Sequence, residues 1–367
     1  MVDERLRKLA EILVRHSLSI KKNDLFLING GYLSIPLIKE VYKIALQIGA
    51  NPYVKIGVED LSELFFKYAS EEQLTYVSPI IKYELEKVDV RLSILSPENT
   101  RYMTNMDPKK QAIRSRSQQE LHERFLERSA KGELRWCITQ FPTNAAAQDA
   151  SMSLMEYEDF LFKAAHVDEK DPVEFWRKLK EKQQHLIDIL EAKDKIHIIA
   201  EDTDLTLSVS KRKWINCYGK ENFPDGEIFT GPIENTAEGY IRYSFPTVYG
   251  GRLVDGIQLW FEKGKVVKSK ATVGEEFLET MLNMDEGARR IGEFAFGTNY
   301  GIKQYTKNTL FDEKIGGTIH IALGSGYPET GSVNKSSLHW DMMCDLRENG
   351  EVYADDELIY KKGEFLI

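Results

Sequence analysis

Cysteine is scarce in this chain: Cys137, Cys217 and Cys344 are the three in 367 residues, far apart and without a CxxC pair. That excludes a disulfide framework and a thiolate zinc site. Each reads as a small buried apolar residue, with Cys344 near enough to His339 and Asp341 to stand behind a site there. Long apolar runs are missing as well. None reaches the roughly 20 residues that span a bilayer, and the opening "MVDERLRKLAEILVRH" reads as a charged amphipathic helix without the apolar middle of a secretory signal. The expectation is a cytoplasmic protein with no membrane partner. There is no basic stripe or arm either; a net charge of -9 with both signs interspersed makes nucleic acid a poor partner. Internal repeats and low-complexity segments are absent from the sequence.

What is present is enough chain for two packed cores, since single cores stop growing near roughly 250 to 300 residues. Hydrophobic residues make up 42% of it. The first half alternates strand and helix: "DLFLING" as a buried strand, "IPLIKEVYKIALQIGA" as a helix closed by Gly49, "PYVKIGV" as a strand, "LSELFFKYA" as a helix and "DVRLSIL" as a strand. A charged helix over 109–128 and the strand "LRWCITQ" follow. This order predicts an α/β domain with a mostly parallel sheet covered by helices. The glycines of "NGGYLSIP" sit where a phosphate loop would, but the segment is neither GxGxxG nor GxxxxGK[ST], so no nucleotide cofactor is expected.

A long amphipathic helix is predicted over 171–193, with His185 as a structural or surface residue. After it, segments such as "KIHIIA", "TDLTLSV", "EGYIRYSFP" and "GIQLWFEKGKVV" are rich in β-branched and aromatic residues with glycine turns. The expected division is therefore 1–193 and 194–367, the second part being a sheet-rich α+β domain.

The chemistry concentrates in that second part. In "SLHWDMM", His339 and Asp341 leave the same face if the segment is extended. In "GGTIHIALGSGY", the apolar run buries His320 on a central strand, and a glycine-rich turn presents Tyr327; a buried imidazole must satisfy both ring nitrogens, and a metal ion is one way. "DEGARRIGEFAFG" is predicted as a helix that places Glu293 among apolar residues, where a carboxylate needs a cation or a proton. Glu227, in "NFPDGEIFTGP", lies between two proline-bearing turns. Taken singly, each residue also has an ordinary explanation: a strand histidine bonded to a backbone carbonyl, a chance HxD pair, a solvated glutamate.

The ordered series "TDLTL", "NFPDGEIFTGP", "DEGARRIGE", "HIALGSGY" and "HWD" resembles the signature of the aminopeptidase T family of metallopeptidases, which includes aminopeptidases S and PepS. "GYLSIPLIKEVYKIALQIGANPYV" and "QFPTNAAAQDASMSLMEYEDF" extend the likeness to the first half. The resemblance implies that Glu227, Glu293, His320, His339 and Asp341 ligate two divalent ions, with Tyr327 beside them. It further implies water-driven release of the N-terminal residue from short peptides, broad specificity, and a homodimer whose sites face an inner cavity. Mixed imidazole and carboxylate ligation suits Zn²⁺ or Co²⁺; Glu293 is the expected bridge between the ions or, failing that, the general base, and Tyr327 an oxyanion donor. The first domain is expected to restrict access, and Glu234 is a further candidate for holding the substrate amine. Two alternatives stay open: a metal-dependent hydrolase acting on amides or esters without a free amine, and a ligand-binding α/β protein whose C-terminal cluster is structural.

Overall fold

The alternation in the first half becomes a parallel sheet. In the computed structural model, which describes residues 3–367, the strands run in the order Asn51–Gly57, Leu25–Gly31, Val90–Leu95, Arg135–Gln140 and Asn222–Phe223, all parallel. Parallel neighbours need a crossover, and the helix Ile35–Ile48 supplies the first, ending at Gly49 with φ +92°, a left-handed conformation that glycine adopts without penalty. The N-terminal helix spans Glu4–Ile12 and is capped by Asp3; Met1 and Val2, part of the expected helix, lie outside the described residues. The single helix expected over 109–128 is two, Pro108–Ser117 and Gln119–Ala130. At the break, the Ser117 hydroxyl donates to the Arg114 carbonyl at 2.7 Å, a local bond that competes with the helical ladder.

The chain divides into two compact units, Met1–Phe175 with Gly219–Pro224, and Trp176–Tyr218 with Asp225–Ile367. The long helix, observed as Pro172–Leu190, belongs from Trp176 onward to the second unit, because Leu186, Ile187 and Leu190 pack into that unit's core. His185 is exposed.

The second unit holds two antiparallel sheets. One has eight strands, including Lys195–Ala200, Thr203–Ser208, Glu238–Arg242 and Gln258–Glu262. The other has five, in the order His339–Asp345, Thr318–Gly324, Ile291–Gly297, Glu227–Thr230 and Ile215–Cys217. Both contribute to one core: Ile196, Ile198, Leu205 and Leu259 from the first, Phe294, Phe296, Ile319, Ile321 and Trp340 from the second.

The central strand of the five-stranded sheet corrects the helix expected around Glu293. Ile291–Gly297 is a strand with every residue buried. The spacing of Ala288, Ile291 and Ala295 imitates a helix, but the pattern that decides is the period of two in "EFAFG", which sends both phenylalanines to one face. Gly292 also forbids a larger residue, since a Cβ there would stand 2.4 Å from the Ser325 carbonyl oxygen.

Candidate metal centre

Register places the site. Gly297 pairs with Glu227, Ala295 with His320, Glu293 with Ala322, Ala322 with Asp341 and Gly324 with His339. Directly paired residues in an antiparallel sheet share a face, so Glu227, Glu293, His320, Asp341 and His339 project from one side, from four adjacent strands. Ala295, Gly297 and Ala322 stand among them, with side chains too small to fill the space. The opposite side carries Ile228, Phe294, Phe296, Ile319, Ile321, Trp340, Met342 and Cys344, all in the core. Cys344 therefore lies behind the sheet and does not back the site, contrary to the sequence expectation.

The five side chains form two groups that share Glu293: Glu227, Glu293 and His320; and Glu293, His339 and Asp341. His320 Nε2 stands 3.5 Å from Glu227 Oε2 and 3.5 Å from Glu293 Oε1; His339 Nε2 stands 3.5 Å from Glu293 Oε2 and 3.5 Å from Asp341 Oδ1. These separations are long for hydrogen bonds. They match instead the gap between two ligands of one tetrahedral ion, which at roughly 2.0–2.1 Å from the metal stand about 3.3–3.4 Å apart. Glu227 Oε2 and Asp341 Oδ1 are buried with no hydrogen-bond partner, which is costly unless a cation faces them. The donor set therefore fits divalent metal ions.

Each imidazole is oriented from behind. His320 Nδ1 lies 3.0 Å from the Glu313 carbonyl and His339 Nδ1 2.9 Å from the Ser325 carbonyl. A proton on Nδ1 donates to those oxygens and leaves Nε2 as the ligand atom, the usual arrangement of metal-binding histidines. The Glu227 strand is held similarly: Gln183, fully buried on the long helix, donates Nε2–H to the Glu227 carbonyl at 2.8 Å and to the Cys217 carbonyl at 2.9 Å. Side-chain exposure rises from 1% at His320 to 31% at His339, so the site opens at its His339 end.

The electrostatics are those of a cluster built around a missing positive charge. Burial pushes the Glu227 carboxyl well up, against the pull of Lys314, and pushes Glu293 up against the pull of His320. Burial disfavours the His320 imidazolium, yet Glu293 and Glu227 outweigh it and raise the ring to about 9; for His339 the Asp341 and Glu293 carboxylates do the same, to about 10. Asp341 is buried too, but His339 holds it below the ordinary aspartate value.

Tyr327 packs its ring edge-on to His339, with centroids 5.4 Å apart, and against Phe229 at 5.0 Å. Burial and the charges of Glu293 and Asp341 raise its phenol, which stays protonated and able to donate. Glu234 is committed elsewhere: it pairs with Arg212 at 2.8 Å and accepts from the Val333 N–H at 2.8 Å. It braces the loop that follows Tyr327 and has no free oxygen for a substrate amine. Sequence reading missed Glu313 and Lys314. Glu313 groups with His320 and Asp341, and Lys314 is fully buried 3.5 Å from Glu227 Oε1. In "FDEKIGG" the only local signal is a charged pair set between two buried strands. Cys217 and Asp225 form a further group with Glu227.

Comparison with known proteins agrees with this geometry. Aminopeptidase 2 from Geobacillus stearothermophilus is 27% identical, covering 99% of this chain and 98% of that protein. Aminopeptidase T from Thermus thermophilus is 27% identical over 88% of this chain and 85% of its own length, and aminopeptidase PepS from Streptococcus thermophilus 26% identical over 88% and 84%. The solved structure of wild-type AmpT from Thermus thermophilus superposes with a TM-score of 0.87 at 24% identity over 99% of both chains, which establishes the fold. Residues 2–365 match the family described as thermophilic metalloprotease (M29). This chain, from one end of its fold to the other, belongs to that metalloprotease family.

Proposed function

We propose that this chain is a metallo-aminopeptidase that removes the N-terminal residue from short peptides, with two divalent ions held by Glu227, Glu293, His320, His339 and Asp341. The observation that carries this reading is the pair of three-residue donor groups sharing Glu293, each contact at 3.5 Å. One carboxylate common to both groups is what a two-ion centre requires. Mixed nitrogen and oxygen donors favour Zn²⁺ or Co²⁺ over Mg²⁺ or Ca²⁺. Bound divalent ions polarise a scissile carbonyl and lower the pKa of water at the site.

The remaining work belongs to side chains. Tyr327 keeps its proton and lies against His339, at the open end, where its hydroxyl can donate to the oxygen that becomes negative as the peptide carbonyl is attacked. Glu293, one oxygen toward each histidine, would hold an ion on each side or take the proton of the attacking water. Its burial excludes competing water from the carboxylate. The relatives' names supply the exopeptidase half of the reading.

Two further parts of the proposal rest on the first unit and on cysteine. The helices Glu59–Tyr68 and Pro79–Lys87 bury none of their residues and expose Leu61, Leu64, Tyr68, Ile80 and Tyr83. Such an apolar surface suits a second copy of the chain, which supports a homodimer in which the first unit limits access to short peptides while the second unit carries out catalysis. None of the three cysteines is in a disulfide, as in the reducing cytoplasm; among the described residues no helix is long and apolar enough to cross a membrane.

The decisive experiment compares Leu-p-nitroanilide with its N-acetylated form, using protein whose metal content has been measured. Cleavage of the free amine alone, lost on chelation and restored by Zn²⁺ or Co²⁺, is expected. Equal cleavage of both substrates would remove the aminopeptidase reading. Light scattering on the same sample tests the dimer.

A further inference from the structure

Lys314 is a charged residue of the second unit's interior that the reading above leaves without a task. Its side chain is fully buried, so it cannot touch substrate. Burying an ammonium is costly, and one partner seldom compensates. Here two carboxylates flank it: Glu227, with Oε1 3.5 Å from Nζ, and its neighbour Glu313, in direct contact. The segment that carries it is firmly held. Asp312, itself buried, accepts from the Thr306 N–H at 2.7 Å, the Thr306 hydroxyl at 2.8 Å and the Asn308 N–H at 2.8 Å, and the Lys314 carbonyl accepts from the Asn299 N–H at 3.1 Å.

The same two residues thus act on two ligand side chains. The Glu313 carbonyl receives Nδ1 of His320 and turns Nε2 inward; the Lys314 ammonium engages Oε1 of Glu227 and turns Oε2 inward. The two atoms left over, His320 Nε2 and Glu227 Oε2, face each other at 3.5 Å, and Glu227 Oε2 has no other partner. We infer that Lys314 is a positioning residue for the Glu227-side ion: a built-in cation that fixes the Glu227 carboxylate so that it offers one oxygen, Oε2, to the metal. This rests on the two-ion reading of the site. A carboxylate freed of the lysine could rotate, present both oxygens or turn away, and outer partners of metal ligands typically contribute about 10–100-fold in affinity.

The test titrates chelator-stripped full-length protein with Co²⁺, followed by visible absorption, and with Zn²⁺ by calorimetry. Wild type is expected to take two ions; uptake of none would sink the reading of the site itself and not merely this inference. In Lys314→Met, similar in volume but uncharged, one ion should bind about 10–100-fold more weakly while the other is unchanged. Glu227→Gln should weaken the same ion, and Lys314→Met combined with Glu227→Gln should bind it no worse than Glu227→Gln alone. A wild type with two ions beside a Lys314→Met variant that binds both equally well or more tightly would overturn the inference, as would losses that simply add in the double variant. If Lys314→Met alone does not fold, the double variant decides, because removing both charges leaves neither buried and unpaired. Its folding supports the pairing; its failure places the role of the lysine outside Glu227 and overturns the proposal.

Discussion

The two sides of the five-stranded sheet are made from alternate residues of the same strands, yet they do opposite things. One side packs Phe294, Phe296, Ile319, Ile321 and Trp340 into a dry core; the other sets Glu227, Glu293, His320, His339 and Asp341 around a space floored by Ala295, Gly297 and Ala322. The core side gains stability from every methylene it hides. The site side gives stability up, holding carboxylates whose buried oxygens find no protein partner. A sheet can carry both because adjacent residues never compete for the same face. The rigid side is what keeps the donors of the other at ligand spacing.

Substitutions on the two sides should separate cleanly. The largest effect expected is from Glu293→Gln, which removes the shared carboxylate: kcat on Leu-p-nitroanilide should fall by about 10²–10⁴, with the melting temperature of the folded protein little changed. A metal-loaded variant turning over at the wild-type rate would rule out its role. On the core side Phe296→Ala, two rows from the ligands, should cost about 3–5 kcal/mol of unfolding free energy in denaturant titrations while the protein that remains folded keeps its metal stoichiometry. Loss of metal without loss of stability would show that the two sides are not independent.

A subtler distinction separates the two halves of the site. His339→Ala, at the open end, should lower retained metal from two ions towards one per chain after gel filtration, whereas unchanged stoichiometry would exclude it as a ligand. Protonation gives a way to read both halves together. In the metal-free protein the imidazoles are raised to about 9 at His320 and about 10 at His339, above the ordinary value of roughly 6.5. Their charged contacts with the carboxylates therefore stabilise the metal-free fold fully below about pH 6.5, and that contribution is lost as pH rises through 9 and 10. Metal ligation needs the neutral rings, so ion binding at neutral pH should release protons, and affinity should rise with pH between 6 and 8. Calorimetry in buffers of different ionisation enthalpy checks this; pH-independent binding would contradict it. The smallest effect expected is from Tyr327→Phe, which removes one hydroxyl at the mouth and should lower kcat by about 10²-fold or less without altering metal content.

The sequence by itself determined much of this. Short apolar runs alternating with helical spacing delivered the parallel sheet of the first half, because strand and amphipathic helix follow one another along the chain there. The HxD spacing fixed His339 and Asp341 on one face, since that is a property of any extended chain. Tertiary structure alone decided the rest. The close approach of Gly292 to the Ser325 carbonyl, a neighbour from 33 positions away, is announced by no local pattern. Cys344 went to the core side by register. Glu234, a candidate for the substrate amine, was taken by Arg212 and a loop 99 residues on. Lys314, which no sequence pattern singles out, is buried against Glu227. Local sequence sets which way each side chain leaves its own strand. Which charges then face one another, and so which can hold an ion, is set by pairing between strands distant in the chain.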